Sequence, residues 1–139
     1  MGRLASGLPE NIAEAEDLAR FLTQSNHFNA LVAKPSAFIP SPKDRATSVS
    51  RHGREPLETL WELGQAAAGT RPLYGAAIFK AAAVKSAQLQ ISADEPPPRH
   101  AVLRGWPWIE GDPEQQKAQQ KERALVLASA AGPPVLRGV

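Results

Sequence analysis

Three histidines and sixteen lysines and arginines carry whatever acid, base or anion chemistry this chain has. Most are scattered, but Arg51-His52 and Arg99-His100, with Arg104 further along and Tyr74 as an additional donor, form one constellation. If the strand holding Arg51 lies beside the strand holding His100, one sheet face collects imidazole and guanidinium groups. Such a face binds phosphate bidentately and supplies a general base, as a metal-free ribonuclease or an RNA binder requires. His100, Arg51 and Arg104 are therefore the catalytic candidates. The competing reading makes them edge-of-sheet charges that keep a small domain soluble and block strand-to-strand aggregation. His27, beside Phe28 in a turn-forming stretch, reads as a cap or a packed side chain.

Other chemistries lack their residues. The chain has no cysteine, which removes disulfides, thiol nucleophiles and cysteine-ligated metals. No His-x-x-x-His spacing, phosphate-binding glycine loop or serine elbow occurs. Neither a metal nor a cofactor is expected.

A second set of residues points to a partner. Trp106-Pro107-Trp108, beside Gly105, is either a rigid aromatic platform of the kind enriched in interface hot spots or a lid over the core. Further on, Glu114 to Arg123 is polar almost all round and Ala124 to Ala131 apolar almost all round. That split describes a helix whose first half meets solvent and whose second half is buried, in this domain or in another chain. Trp106, Trp108, Leu125 and Leu127 are the partner-binding candidates, for a larger protein or a second copy.

The elements that must position these residues follow from periodicity. Pro9 to Gln24 is expected to be a helix, with Ile12, Ala15, Leu18, Ala19 and Leu22 at helical spacing. Ala37-Phe38-Ile39, among three prolines, reads as an edge strand or extended segment, and Thr47 to His52 as a short strand. Pro56 to Ala68 is a second helix, stopped by Gly69. The stretch from Arg71 to Trp108 organises the rest: a strand at Leu73 to Ile78, a helical turn at Lys80 to Lys85, a strand at Ala87 to Ala93, a break at Pro96-Pro97-Pro98 and a strand at Arg99 to Arg104. Asp112-Pro113 starts the last helix, aspartate as N-cap and proline at the first helical position, running to about Ala131.

At 139 residues the chain is the size of one domain, with 1–8 and 133–139 expected to be disordered tails. Hydrophobic content is 42%, but only 6% is aromatic, so the core leans on few large side chains. A net charge of +2 is too weak to argue for nucleic acid by itself. No apolar run reaches the roughly 20 residues of a membrane span and the start lacks a signal-peptide core, so a cytoplasmic protein without membrane contact is expected.

The succession Lys34-Pro35-Ser36-Ala37-Phe38, Thr47-Ser48-Val49-Ser50-Arg51, Ala83-Val84-Lys85 with Leu89-Gln90-Ile91, and Glu95-Pro96-Pro97-Pro98-Arg99-His100-Ala101 to Gly105-Trp106-Pro107 resembles a family of short bacterial proteins that carries no assigned activity. The resemblance implies a bacterial, cytosolic, single-domain accessory protein, encoded beside larger machinery such as a phage-defence system. The expected fold is α+β: a small mixed or antiparallel sheet of about four strands, with three helices packed mainly on one face. The expected function is a non-enzymatic accessory protein docking on a larger partner, the alternative being the small metal-free ribonuclease or RNA-binding protein.

Overall fold

Leu18, Arg20 and Leu22 alternate with Ala19 and Phe21, and this period of two makes Asp17–Leu22 a strand, β1. The computed structural model describes residues 3–52 and 55–138. After β1 the chain passes through 3-10 turns at Ser25–His27 and Pro35–Phe38. Then come β2 (Thr47–Arg51), α1 (Leu57–Ala68), β3 (Gly75–Lys80), α2 (Ala82–Ser86), β4 (Gln90–Ala93), β5 (His100–Arg104), α3 (Pro113–Ala131) and β6 (Val135–Leu136). The strands form one sheet in the order β4-β5-β2-β1-β3-β6, and every neighbouring pair is antiparallel.

Among the described residues the architecture is α+β with an antiparallel sheet and three helices, but the sheet has six strands rather than about four. The short α2 stands in the count for the helix expected at Pro9 to Gln24, and α1 packs on the face opposite α2 and α3 instead of all three lying mainly on one face. One addition is β1, which lies where a helix was expected. Leu18 and Leu22 are four residues apart, a spacing that both a helix and a strand place on one face. Pairing decides between them: β1 is flanked on both sides, by β2 and by β3. The other addition is β6, in the stretch expected to be a tail, where Val135 and Leu136 pair with Ala76 and Gly75. Ala37-Phe38-Ile39 is not a strand either. Ala37 and Phe38 belong to a 3-10 turn that drives the fully buried Phe38 into the core, its ring edge-on to Phe79 at 5.8 Å. The triproline stretch forms the loop between β4 and β5, which pair directly from Gln90↔Arg104 to Ala93↔Ala101.

The two sheet faces differ. One carries Leu18, Leu22, Val49, Ala77, Phe79, Ala101 and Leu103, covered by Phe38, Val84 of α2, Trp106, and Ala124 and Leu127 of α3. This is the main core. On the other face Ala19 and Ala76, with Phe21 and Ile78 beside them, lie under Leu60 and Trp61 of α1. Gly64 lets α1 approach, since a β-carbon there would come within 2.8 Å of the Phe21 ring. α1 packs on β1 and β3, and beside it part of this face, at Ser48, Ser50 and His100 of β2 and β5, borders a groove.

α3 starts as expected, with Asp112 Oδ1 accepting from the Gln115 amide at 3.0 Å. Its buried residues, Gln120, Ala124, Leu127 and Ala128, form a single stripe, so Leu125 and Val126 face solvent at 53% and 36% exposure. No helix of the described residues is long and apolar enough to cross a membrane.

Candidate functional site

The groove between α1 and the sheet measures about 420 Å³. Its floor includes Ser48 and Ser50 of β2 and His100 of β5; Leu63, Ala66 and Ala67 of α1 form one wall, and Pro97 and Pro98 border it. Phe21, Thr23 and Asp44 also line it, and two cations, Arg20 and Arg71, complete it.

Arg20 reaches the groove because β1 and β2 part. They pair only at Leu18↔Arg51 and Ala19↔Ser50. Beyond that point Arg20 bridges the opening, Nε donating to the Ala37 carbonyl at 2.8 Å and Nη1 to the Ser48 carbonyl at 2.9 Å. Arg71 follows α1 and closes its C-terminal end, Nε and Nη2 donating to the carbonyls of Ala68 and Ala67 at 3.1 and 3.0 Å. Among the described residues neither guanidinium pairs with a carboxylate. Each spends two of its five N–H groups on carbonyl oxygens, and among the described residues no other protein acceptor takes the rest. Burial, and then the neighbouring Arg71 charge, push the Arg20 guanidinium down to about 10. The same Arg20 charge, after burial, holds His27 below the usual imidazole range. Two guanidinium groups without an ion pair among the described residues therefore line the groove, against the single lining carboxylate of Asp44.

His100 is the one imidazole lining the groove among the described residues. Its Nδ1 lies 2.9 Å from the Asp94 carbonyl oxygen and 3.2 Å from the Asp94 carboxylate. A carbonyl only accepts, so Nδ1 carries a proton there, and the lone pair of the neutral ring sits on Nε2. Ser48, exposed, and Ser50, largely buried, are the hydroxyl-bearing residues of β2 on this floor.

Of the residues singled out from sequence, His100 alone belongs to this site. Arg51 sits on the opposite sheet face, because its neighbour Ser50 is the residue paired with His100. It is fully buried, its Nε and Nη2 held by Glu16 at 2.5 and 2.8 Å and its Nη1 by the Pro9 carbonyl at 2.6 Å. Arg104 shares the His100 face but is exposed at the far end of β5 and does not line the groove. Arg99 is engaged with Glu55 at 2.6 Å and with the Arg51 carbonyl. His52 is buried, its Nδ1 without a partner among the described residues, and burial holds it below the usual range. Tyr74 packs against Phe28 with ring centres 5.6 Å apart. The single His/Arg face expected from sequence is thus divided between the two sides of the sheet.

The partner-binding candidates divide as well. Trp106 is 4% exposed, its indole N–H donating to the Leu103 carbonyl at 3.1 Å, and Leu127 is fully buried. Both are core residues of this chain, and Trp106 takes the role of a lid. Trp108 is half-buried beneath the Arg45 guanidinium at 4.9 Å, and Leu125 is exposed. Among the described residues no group of three His, Asp or Glu side chains is placed to hold a metal ion.

Arg20 and Arg71 escaped the sequence reading for a physical reason. In the expected helix, Glu16 would stand four residues before Arg20, a favourable pairing. In the strand, Glu16 turns to Arg51 and Arg20 is left without an acid. Arg71 has no local signal; its role depends on the end of α1 standing beside β1. Comparison with known proteins finds no matching family model, curated protein or solved structure.

Proposed function

We propose that this chain binds a phosphate-bearing ligand in the groove beside α1, the reading that continues the RNA-binding expectation with a different set of arginines. One observation carries it: Arg20 and Arg71 line a single groove with unused N–H groups and no paired carboxylate among the described residues. Guanidinium groups in this state match a phosphate in both charge and fork geometry. Binding is favoured over cleavage because the groove offers one imidazole, whereas metal-free phosphodiester cleavage uses an acid and a base together.

The test is the affinity of a labelled single-stranded oligoribonucleotide measured across a salt series. Binding weakens steeply with salt, and Arg71→Gln, at an exposed position, weakens it about tenfold; losing its two contacts to the end of α1 costs about 1 kcal/mol of stability and leaves the chain folded at the assay temperature. Equal affinity for the variant and the parent overturns the reading.

The docking reading keeps one specific support. Leu125 and Val126 lie exposed on the half of α3 that sequence marks as apolar, a surface left uncovered among the described residues. A tagged pull-down split into nuclease-treated and untreated halves separates the two. A protein recovered in both halves and lost with Leu125→Glu favours docking; nucleic acid recovery favours the groove.

A further inference from the structure

Resting on the phosphate-binding reading, we propose that the groove takes one nucleoside phosphate unit, its phosphate between Arg20 and Arg71 and its base on the surface around His100, Leu63 and Pro98. The lining is graded. Arg20 is anchored at the level of Ser48, whereas His100 is paired with Ser50, two residues along β2 and on its other side. Two strand residues span about 7 Å, so the cationic end and the imidazole end are separated on the scale of a sugar. Ser48 and Ser50 line the groove at these two levels, hydroxyl-bearing residues of the kind that hydrogen-bond a ribose.

The base end has what a flat heterocycle needs. His100 supplies an aromatic ring fixed by Asp94, and Leu63 and Pro98 supply apolar surface. Inorganic phosphate alone would leave this end empty. Size sets the other bound: about 420 Å³ stands near the low end of the ~300–1,000 Å³ of single-ligand clefts. That is room for one nucleotide unit. Asp44 is the one carboxylate of the lining among the described residues and works against the phosphate, so its removal should strengthen binding.

The experiment is an NMR titration of the full chain, following the amides of Ser48, Ser50 and His100. The ligands are inorganic phosphate, ribose 5-phosphate, adenosine and uridine monophosphates, and a 5′-phosphorylated tetranucleotide RNA. The nucleoside monophosphates are expected to bind about tenfold tighter than ribose 5-phosphate through base stacking. Arg71→Gln weakens every phosphorylated ligand, Asp44→Asn strengthens them, and Leu63→Ala weakens the nucleotides alone. Both Arg71 and Asp44 are exposed, so these variants keep the fold. Tetranucleotide binding tighter than the monophosphates assigns a single-stranded RNA end as the source, and the reverse assigns a free nucleotide. Ribose 5-phosphate binding as tightly as the nucleotides overturns the base surface and leaves the phosphate site standing. No shift with any phosphorylated ligand overturns both.

Discussion

Arg51 shows how far a side chain's meaning depends on its surroundings. As sequence it is a catalytic candidate; in the fold it is the largest fully buried side chain and ties β2 to Glu16 and Pro9. Arg51→Ala is expected to cost about 3–5 kcal/mol in urea unfolding, since it strands the Glu16 carboxylate. Arg51→Lys should recover little, because an ammonium cannot reproduce the two-pronged contact. A loss below ~1 kcal/mol for the alanine variant, the range of exposed ion pairs, would refute this account. The histidines give a second prediction. Burial holds His52 and His27 below the usual imidazole value, so the unfolded chain takes up protons that the folded chain refuses. Their contribution to stability is complete above about pH 6.5 and declines as pH falls below it. The urea midpoint should drop between pH 6.5 and 5, and His52→Gln should reduce the drop; an unchanged slope counts against it. Glu95 acts lower: burial opposes its charge, but hydrogen bonds from the Ser6 hydroxyl and amide and the Arg99 amide outweigh it and hold it below the usual carboxylate value. Its share is therefore present above about pH 4.5 and lost below. What sequence offered at this scale was residue type. His100 was legible because its strand alternates cleanly, whereas Arg20 was not, since its partner depends on which element Glu16 joins.

At the scale of elements, β5, α1 and α3 were legible because their signals are local: alternation in His100–Arg104, proline at the start of α1, the Asp112 cap of α3. β1 was not, because its apolar spacing fits two periods and its pairing partners lie up to the far end of β3. Only the tertiary pairing resolves such a segment. The fit of α1 on β1 yields the next prediction. Alanine at Gly64 would normally favour a helix by about 1 kcal/mol. Here its β-carbon meets Phe21 at 2.8 Å and Leu73 at 2.9 Å, so Gly64→Ala should instead destabilise by about 1–3 kcal/mol. Pushing α1 outward should also widen the groove and shift the amides of Ser48 and Ser50. A stabilised variant would show that α1 is not seated as described.

For the whole molecule, the organising fact is the strand order, with β2 and β1 at the centre and their outer neighbours drawn from later in the chain. Sequence indicated the class of fold but not this order, which no local pattern encodes, and the stretch from Arg71 to Trp108, expected to organise the rest, supplies β3, β4 and β5 around a centre formed by earlier strands. Gly75 is the joint at one edge: a β-carbon there would lie 2.3 Å from the Val135 carbonyl oxygen. Gly75→Ala is therefore expected to release β6 and to speed amide exchange at Arg137, whose N–H donates to the Tyr74 carbonyl at 2.8 Å. Unchanged exchange would mean that the edge adapts. The same order bears on how the chain is made. When β2 leaves a ribosome, its partner β5 has not yet been translated, and β3 in turn waits for β6 until α3 has emerged. Each central strand thus spends part of synthesis with an open edge. A pause in translation after β3 would prolong that exposure. The timing of elongation across the second half of the message thus bears on the yield of native protein.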